Sequence, residues 1–300
     1  MAAAATTLTT LTELVNSEAI ESLILDYAFD AMNASAFCRI SDISGGATLV
    51  ASFPTWVKDV AVAVNEASDM NLDDLETTDV QVTAGLFGVL REVTDLVAST
   101  TILGSSMVPE IIAEASRLCM EKLEDLVVAA FANASGSVGT TTVNLTIAQF
   151  VGAYHALNAN LVQGQKVCVM APIQVADLVD ALIAATSTVW SNPTTDNRLL
   201  NGQSGQDGQM GALLGVPIYQ SSLCDTANAG EDRLGAMFVN GNSANGGNPK
   251  FAAYGIAMKW LPKVRVTSDA AGTADVFGIT MCAGTAEIRD GSTIKIVTDA

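Results

Sequence analysis

The stretch VAVAVNEASDMNLDDLETTDVQVTAGLF, residues 60–87, decides how the chain is read. Val60, Val62 and Val64 alternate as in a strand with one apolar face, and Val80, Val82 and Ala84 alternate again before Leu86. Between the two runs lie Glu66, Asp69, Asp73, Asp74, Glu76 and Asp79, with no basic residue among them. The pattern predicts a long projecting two-stranded ribbon with an acidic tip. Two strands alone are marginal in water and need a surface to lie on. The expected surface belongs to a second copy of the chain. Val60, Val62, Val64, Val80, Val82 and Leu86 are then the apolar contacts between subunits, with Asp73, Asp74 and Glu76 as the charged ones.

A counterpart for the tip lies near the other end of the chain. Lys259, Lys263 and Arg265 form a small basic group around Trp260 and Pro262. They are expected to meet an acidic neighbour, or else to be a solvated strand face. The whole chain is polarised in the same sense. Residues 1–125 hold 20 acids and five bases, residues 126–300 hold 12 acids and nine bases, and the last 51 residues hold six bases and five acids. Such asymmetry steers copies of one molecule together, more strongly at low salt.

The 300 residues are 49% hydrophobic and 15% charged, with a formal net charge of −18. That apolarity excludes a disordered acidic chain, which would have nothing to bury. The negative charge excludes a sequence-independent grip on nucleic acid, which needs clustered Lys and Arg. The charged share is below the usual quarter or so, as expected of a surface that faces other protein. Cys38, Cys119, Cys168, Cys224 and Cys282 are odd in number and widely spaced, so a secreted disulfide framework is not expected. The N-terminal Ala/Thr segment lacks the basic flank and apolar run of a signal peptide, and no run reaches the length of a membrane span.

Working outward, Leu8, Leu11 and Leu14 anchor an arm, and Ser17 caps a first amphipathic helix over 17–32. VPEIIAEASRLCMEKLEDLVVAAF (108–131) is a long helix, with Pro109 in its first turn and Ile112, Ala115, Cys119, Leu123, Leu126 and Ala130 on one face. Thr146 and Gln149 form a capping box for the next helix. KVCVM (166–170) is a buried strand feeding Ala171-Pro172, where another helix opens. Short strands follow in GVPIYQSSL, LGAMFVN, FAAYGIAMKW, KVRVTS (263–268), DVFGITMCAGTAEIR (275–289) and STIKIVT (292–298), the last two turning at Asp290-Gly291. The fold class is α+β.

Catalytic chemistry finds no support. His155, the only histidine, sits at the edge of an amphipathic helix, and no GxSxG accompanies it. Asp69-Met-Asn-Leu-Asp73 copies the first three ligand positions of a calcium loop, but Asp74 replaces the required Gly and Val80 the bidentate Glu. Gly202, Gly205, Gly208, Gly211 and Gly215 fit neither phosphate-binding pattern. No catalytic residue, metal site or cofactor is expected.

In order and spacing the chain resembles the major capsid proteins of tailed double-stranded DNA phages, the lineage shared with encapsulins and herpesvirus capsid floors. SFPTW (52–56), VAVAVNEASDM and TTDVQVTAGLFGVLREVTDLVAST (77–100) are similar to that family's extended-loop hairpin, with Glu66, Gly85 and Glu92-Val-Thr-Asp95 at matching points. The 108–131 helix resembles the spine helix, KVCVMAP and MGALLGVPIYQSS (210–222) the axial domain, and VRVTSDAAGTADVFGITMCAGTAEIRD the peripheral sheet. The resemblance implies an N-terminal arm over 1–40, the hairpin over 41–95, a peripheral domain from 96–145 and 246–300, and an axial domain over 146–245. It implies a structural, non-enzymatic subunit forming hexamers and pentamers of an icosahedral virion shell, assembled in the host cytoplasm. The implied partners are itself, a separate scaffolding protein, a portal and decoration proteins. Packaged double-stranded DNA is enclosed without sequence-specific binding, and no membrane is involved. Two departures stand out: only about forty residues precede the hairpin, too few for a fused scaffolding segment, and Lys58, the sole Lys before Lys122, precedes the acidic tip, so no Lys–Asn crosslink is expected. An encapsulin-like compartment and a surface-layer or adhesin-like protein are the alternative readings.

Overall fold

The computed structural model describes residues 33–56, 76–100, 107–141, 143–185, 209–224, 226–227, 232–269 and 274–299. The strands, in chain order, are β1 (Arg39–Asp42), β2 (Val50–Trp56), β3 (Thr77–Thr83), β4 (Gly85–Thr94), β5 (Ser137–Val138), β6 (Lys166–Met170), β7 (Gln209–Leu213), β8 (Val216–Gln220), β9 (Thr226–Ala227), β10 (Asp232–Val239), β11 (Tyr254–Asp269), β12 (Ala274–Glu287) and β13 (Thr293–Asp299). The helices are α1 (Asp95–Thr100), α2 (Met107–Ala129), α3 (Ile147–Ala159) and α4 (Pro172–Ala185). The mixture is α+β, as expected, and none of these helices is long and apolar enough to cross a membrane.

The first sheet has the order β1-β11-β12-β4. Helix α2 covers one of its faces because Ala115, Cys119, Leu123 and Val127 recur every four residues and stack along one side of the helix. All four are buried, in one core with Phe277, Ile279 and Met281 of β12. FAAYGIAMKW and KVRVTS, expected as separate strands, form the single strand β11. Its register shifts twice between Met258 and Lys263, around Pro262, which has no N–H to give to a ladder.

The second sheet has the order β5-β13-β10-β6-β8-β7, with β9 beside the start of β10. KVCVM is buried on both faces: Val167 and Val169 join the core with α2, while Cys168 and Met170 join the core with α3 and α4. Such double burial produces a near-continuous apolar run. Helix α3 begins at the expected capping box, with Gln149 N–H donating to Thr146 Oγ1 at 3.3 Å and Thr146 N–H donating to Gln149 Oε1 at 2.8 Å. Where the sheets meet, the rings of Phe131, Phe238 and Tyr254 pack with centroids 5.2–5.7 Å apart.

The hairpin expected at Asp290-Gly291 does not form. The chain makes a 3-10 turn over Asp290–Ser292 and crosses to the other sheet, where β13 pairs antiparallel with β10 from Phe238↔Thr293 to Asp232↔Asp299. The reason is that β12 already has β11 on one edge and β4 on the other. Residues 246–300 therefore do not serve one sheet alone, a correction to the expected block of closing peripheral strands.

A two-stranded ribbon, β2 with β3, completes the fold; its register runs from Val50↔Thr83 to Trp56↔Thr77. Val80 thus faces Phe53, and Val82 faces Ala51. Val60, Val62, Val64, Asp73 and Asp74, and the arm and helix expected over 1–32, lie outside the described residues.

Candidate functional site

The ribbon's root is built into its own chain. Ala51, Phe53, Val82 and Ala84 pack on Ala252, Ala257, Cys282 and Ile288, covering the face of the first sheet opposite α2. Contact is close enough that a β-carbon at Gly284 would stand 2.1 Å from the carbonyl oxygen of Thr83. Val82 is 2% exposed. That corrects the expectation that it is a contact between subunits, because the alternation in β3 points it at this sheet. Val80 is half-buried beside it, and Glu76 is exposed where the described strand begins.

Beyond the root, the same face lies open. Cross-strand partners share a face in an antiparallel sheet, so the ladder places Leu86, Cys282 and Trp260 in one row, Gly88, Thr280 and Lys263 in the next, and Leu90, Gly278 and Arg265 in a third. Leu86 is 67% exposed and Leu90 55% exposed, and Trp56, at the end of β2, is 69% exposed. Large apolar side chains exposed together with bases make a surface suited to another protein. Three residues expected at subunit contacts, Leu86, Lys263 and Arg265, are thus brought onto one surface. The Lys263 ammonium lies over the Trp260 ring at 5.2 Å.

Lys259 is used differently. Its ammonium donates to the backbone carbonyl of Ile43 at 2.9 Å and to those of Gly46 and Thr48, pinning the loop between β1 and β2. It is an anchor inside the chain, which corrects its expected place among the contacts with a neighbour.

A second functional element was not anticipated: a clamp on the first described residues. Glu124 of α2 is fully buried and accepts from the backbone N–H groups of Ala34 at 2.6 Å and Ser35 at 2.8 Å. From the other side, the side-chain amides of Asn242 and Asn245 donate to the carbonyl of Ala36 at 2.8 and 2.9 Å. Asn33 donates to the carbonyl of Gln220 at 3.0 Å. Burial raises the carboxyl pKa of Glu124, and the donated hydrogen bonds oppose that rise. The sequence signal was present in α2: Met120, Glu124 and Val128 stack at four-residue spacing, so Glu124 interrupts an otherwise apolar row.

Among the described residues, no three His, Cys, Asp or Glu side chains are grouped to hold a metal ion. All five cysteines are buried and outside any disulfide, and burial pushes the thiols of Cys38 and Cys168 up, away from the reactive thiolate. His155 is exposed on α3 with its ring edge-on to Tyr154.

No protein-family model matches the chain, and no curated protein matches it. Solved structures do. The structure from Mycobacterium phage Che8 superposes with a TM-score of 0.65 at 14% identity, over 93% of this chain and 96% of that one. The capsid of cyanophage P-SCSP1u gives 0.65 at 14% identity over 95% and 93%. The capsid of Ralstonia phage GP4 gives 0.65 at 11% identity over 95% of each chain. With nearly the whole of both chains aligned in each comparison, the fold of this chain is the capsid fold of tailed phages.

Proposed function

We propose that the chain is the structural, non-catalytic subunit of an icosahedral phage capsid. It assembles with itself into hexamers and pentamers that enclose double-stranded DNA. The observation that carries this reading is the superposition on phage capsid structures over at least 93% of the chain. It is supported by a ribbon rooted on one sheet beside an open apolar face, with Leu86, Leu90, Lys263 and Arg265 offered to a neighbour. The ribbon's far part, with Val60, Val62, Val64, Asp73 and Asp74, would lie on that neighbour.

In this reading residues 1–40 are the arm, 41–95 the hairpin, 96–145 with most of 246–300 the peripheral domain, and 146–245 the axial domain, to which β13 adds a strand. A separate scaffolding protein, a portal and decoration proteins are the other partners, and assembly takes place in the host cytoplasm. DNA would be contained rather than gripped, as suits a chain with a formal net charge of −18.

Particles purified from the native source and labelled with an antibody against this chain test the reading. The label should coat DNA-filled, tail-bearing heads. Label confined to tailless shells filled with protein cargo would overturn the phage assignment in favour of a compartment. Label on cell envelopes would overturn the shell itself.

A further inference from the structure

Between β10 and β11 the chain runs NGNSANGGNPK (240–250), with two Asn-Gly steps, Asn240-Gly241 and Asn245-Gly246. Asn-Gly invites a reaction of its own: the glycine nitrogen can attack the preceding side-chain amide, because no β-carbon shields the approach. Asparagine is a thermolabile residue for this reason. The reaction needs an accessible amide and a peptide free to turn toward it. The two steps have the same sequence chemistry, and the fold treats them in opposite ways.

Asn240 is fully buried, and its amide is engaged at both ends. Nδ2 donates to Gln165 Oε1 at 3.2 Å and to the carbonyl of Asn245 at 3.0 Å, and Oδ1 accepts from the N–H of Asn242 at 2.9 Å. The Gly241 N–H donates to the carbonyl of Phe37 at 2.8 Å. A β-carbon on Gly241 would stand 2.4 Å from that of Ala252, so this peptide has no room to turn. Asn245 is instead exposed, at the end of the 3-10 turn Ser243–Asn245. The Gly246 N–H reaches the carbonyl of Ser243 at 3.4 Å, longer than a good hydrogen bond. A β-carbon on Gly246 would meet only Gln165 Oε1, at 3.7 Å. The side-chain amide of Asn245 donates to the carbonyl of Ala36 at 2.9 Å, as one of the two donors in the clamp.

We infer that Asn245 is a site of spontaneous deamidation, a one-way covalent switch that withdraws one of the two donors holding Ala36. Water or hydroxide takes the proton of the Gly246 nitrogen, which attacks Cγ of Asn245. The new C–N bond closes a five-membered imide, and the bond from Cγ to Nδ2 breaks, releasing ammonia. Water then opens the imide at either of its carbonyls. The products are aspartate at 245, or isoaspartate with the backbone routed through the former side chain. In both, the donor to Ala36 is lost, and in aspartate a carboxylate oxygen faces the Ala36 carbonyl and repels it. Asn242 still donates to that carbonyl at 2.8 Å, and Glu124 still holds Ala34 and Ser35, so the segment loosens without being released. The inference concerns the single chain and does not depend on the assembly reading.

Ageing the full, unassembled chain in mildly alkaline buffer, followed by peptide mapping with mass spectrometry, tests the site. A third step, Asn201-Gly202, lies outside the described residues, so each site is read from its own peptide. In the native chain, aspartate and isoaspartate should accumulate at 245 at least about tenfold faster than at 240, since a buried, bonded group reacts only through a local opening. In urea the two steps should react within about twofold of each other, with no fold left to distinguish them. Equal native rates, or no product at 245 while the urea sample reacts, overturns the site. Asn245→Asp tests the consequence without waiting for the reaction. Chymotrypsin should cut after Phe37 about fivefold faster than in wild type, the ratio expected for one lost hydrogen bond, with cleavage elsewhere unchanged. A wild-type rate of cutting at Phe37 in that variant overturns the switch.

Discussion

The Glu124 carboxylate accepts a hydrogen bond from the backbone N–H of Ala34 at 2.6 Å, ninety residues earlier in the chain. It accepts a second from Ser35 at 2.8 Å, so one side chain of the long helix fixes the backbone at Ala34 and Ser35. Removing it leaves buried donors unsatisfied, at about 1–3 kcal/mol each. Glu124→Ala should therefore lower the stability of the unassembled chain by about 2–4 kcal/mol in urea unfolding, and open the 33–38 segment to proteolysis. Glu124→Gln keeps one acceptor and should cost about half as much. Equal, negligible losses in both would dismiss the clamp.

The ribbon's root should behave as core. Phe53→Ala removes a buried aromatic and should cost about 3–5 kcal/mol. Gly284→Ala should dislodge the same root without deleting any contact, since the added methyl meets the carbonyl of Thr83 at 2.1 Å. Val82→Asp should destabilise the unassembled chain before any question of assembly arises, because it buries a carboxylate without a partner. Thermal unfolding of the unassembled variants reads all three. Wild-type stability in Val82→Asp would return that residue to the interface.

What the sequence made legible was local. The capping box at Thr146 and Gln149 needs only its own three-residue spacing, and the four-residue apolar spacing of α2 needs only itself. Asp290-Gly291 misled because a hairpin signal carries no information about whether an edge is free, and both edges of β12 are taken. The strand SFPTW drew notice only through the family resemblance. Pro54 weakens its alternation, yet β2 pairs on one side alone and tolerates a missing N–H on the other. The use of Lys259 was invisible, since its three carbonyl partners are more than 200 residues away.

Leu86 and Leu90 test the proposed interface apart from the core, because both are exposed in the free chain. Both are more than half exposed on the outward face of β4, so an Asp at either position adds little strain to the free chain. The double variant Leu86→Asp, Leu90→Asp should unfold within about 0.5 kcal/mol of wild type, the range of ordinary surface changes. Shell formation, followed by light scattering and negative-stain microscopy, should be abolished, because each charge would have to be desolvated against an apolar neighbour. Normal shells from this variant would remove the β4 face from the assembly surface.

Charge on that face is expected to guide placement more than to hold it. Lys263 and Arg265 stand in the rows of Gly88 and Leu90, and the acids at Asp73, Asp74 and Glu76 have no base near them in sequence. Exposed pairs are individually worth about 0–1 kcal/mol and weaken as salt shortens the reach of charge. Neutralising the three acids to Asn, Asn and Gln should therefore slow assembly at about 0.05 M salt, with little effect near 0.5 M, where the Debye length is only about 4 Å. Lys263→Glu with Arg265→Glu should give the same salt-dependent delay from the other partner. Combining that pair with Asp73→Lys and Asp74→Lys should restore part of the rate, since opposite charges face each other again. Assembly kinetics by light scattering across the salt range decide the matter. A triple-neutral variant that matches wild type at every salt concentration reduces the tip to a solvated turn and leaves apolar burial to do the steering unaided.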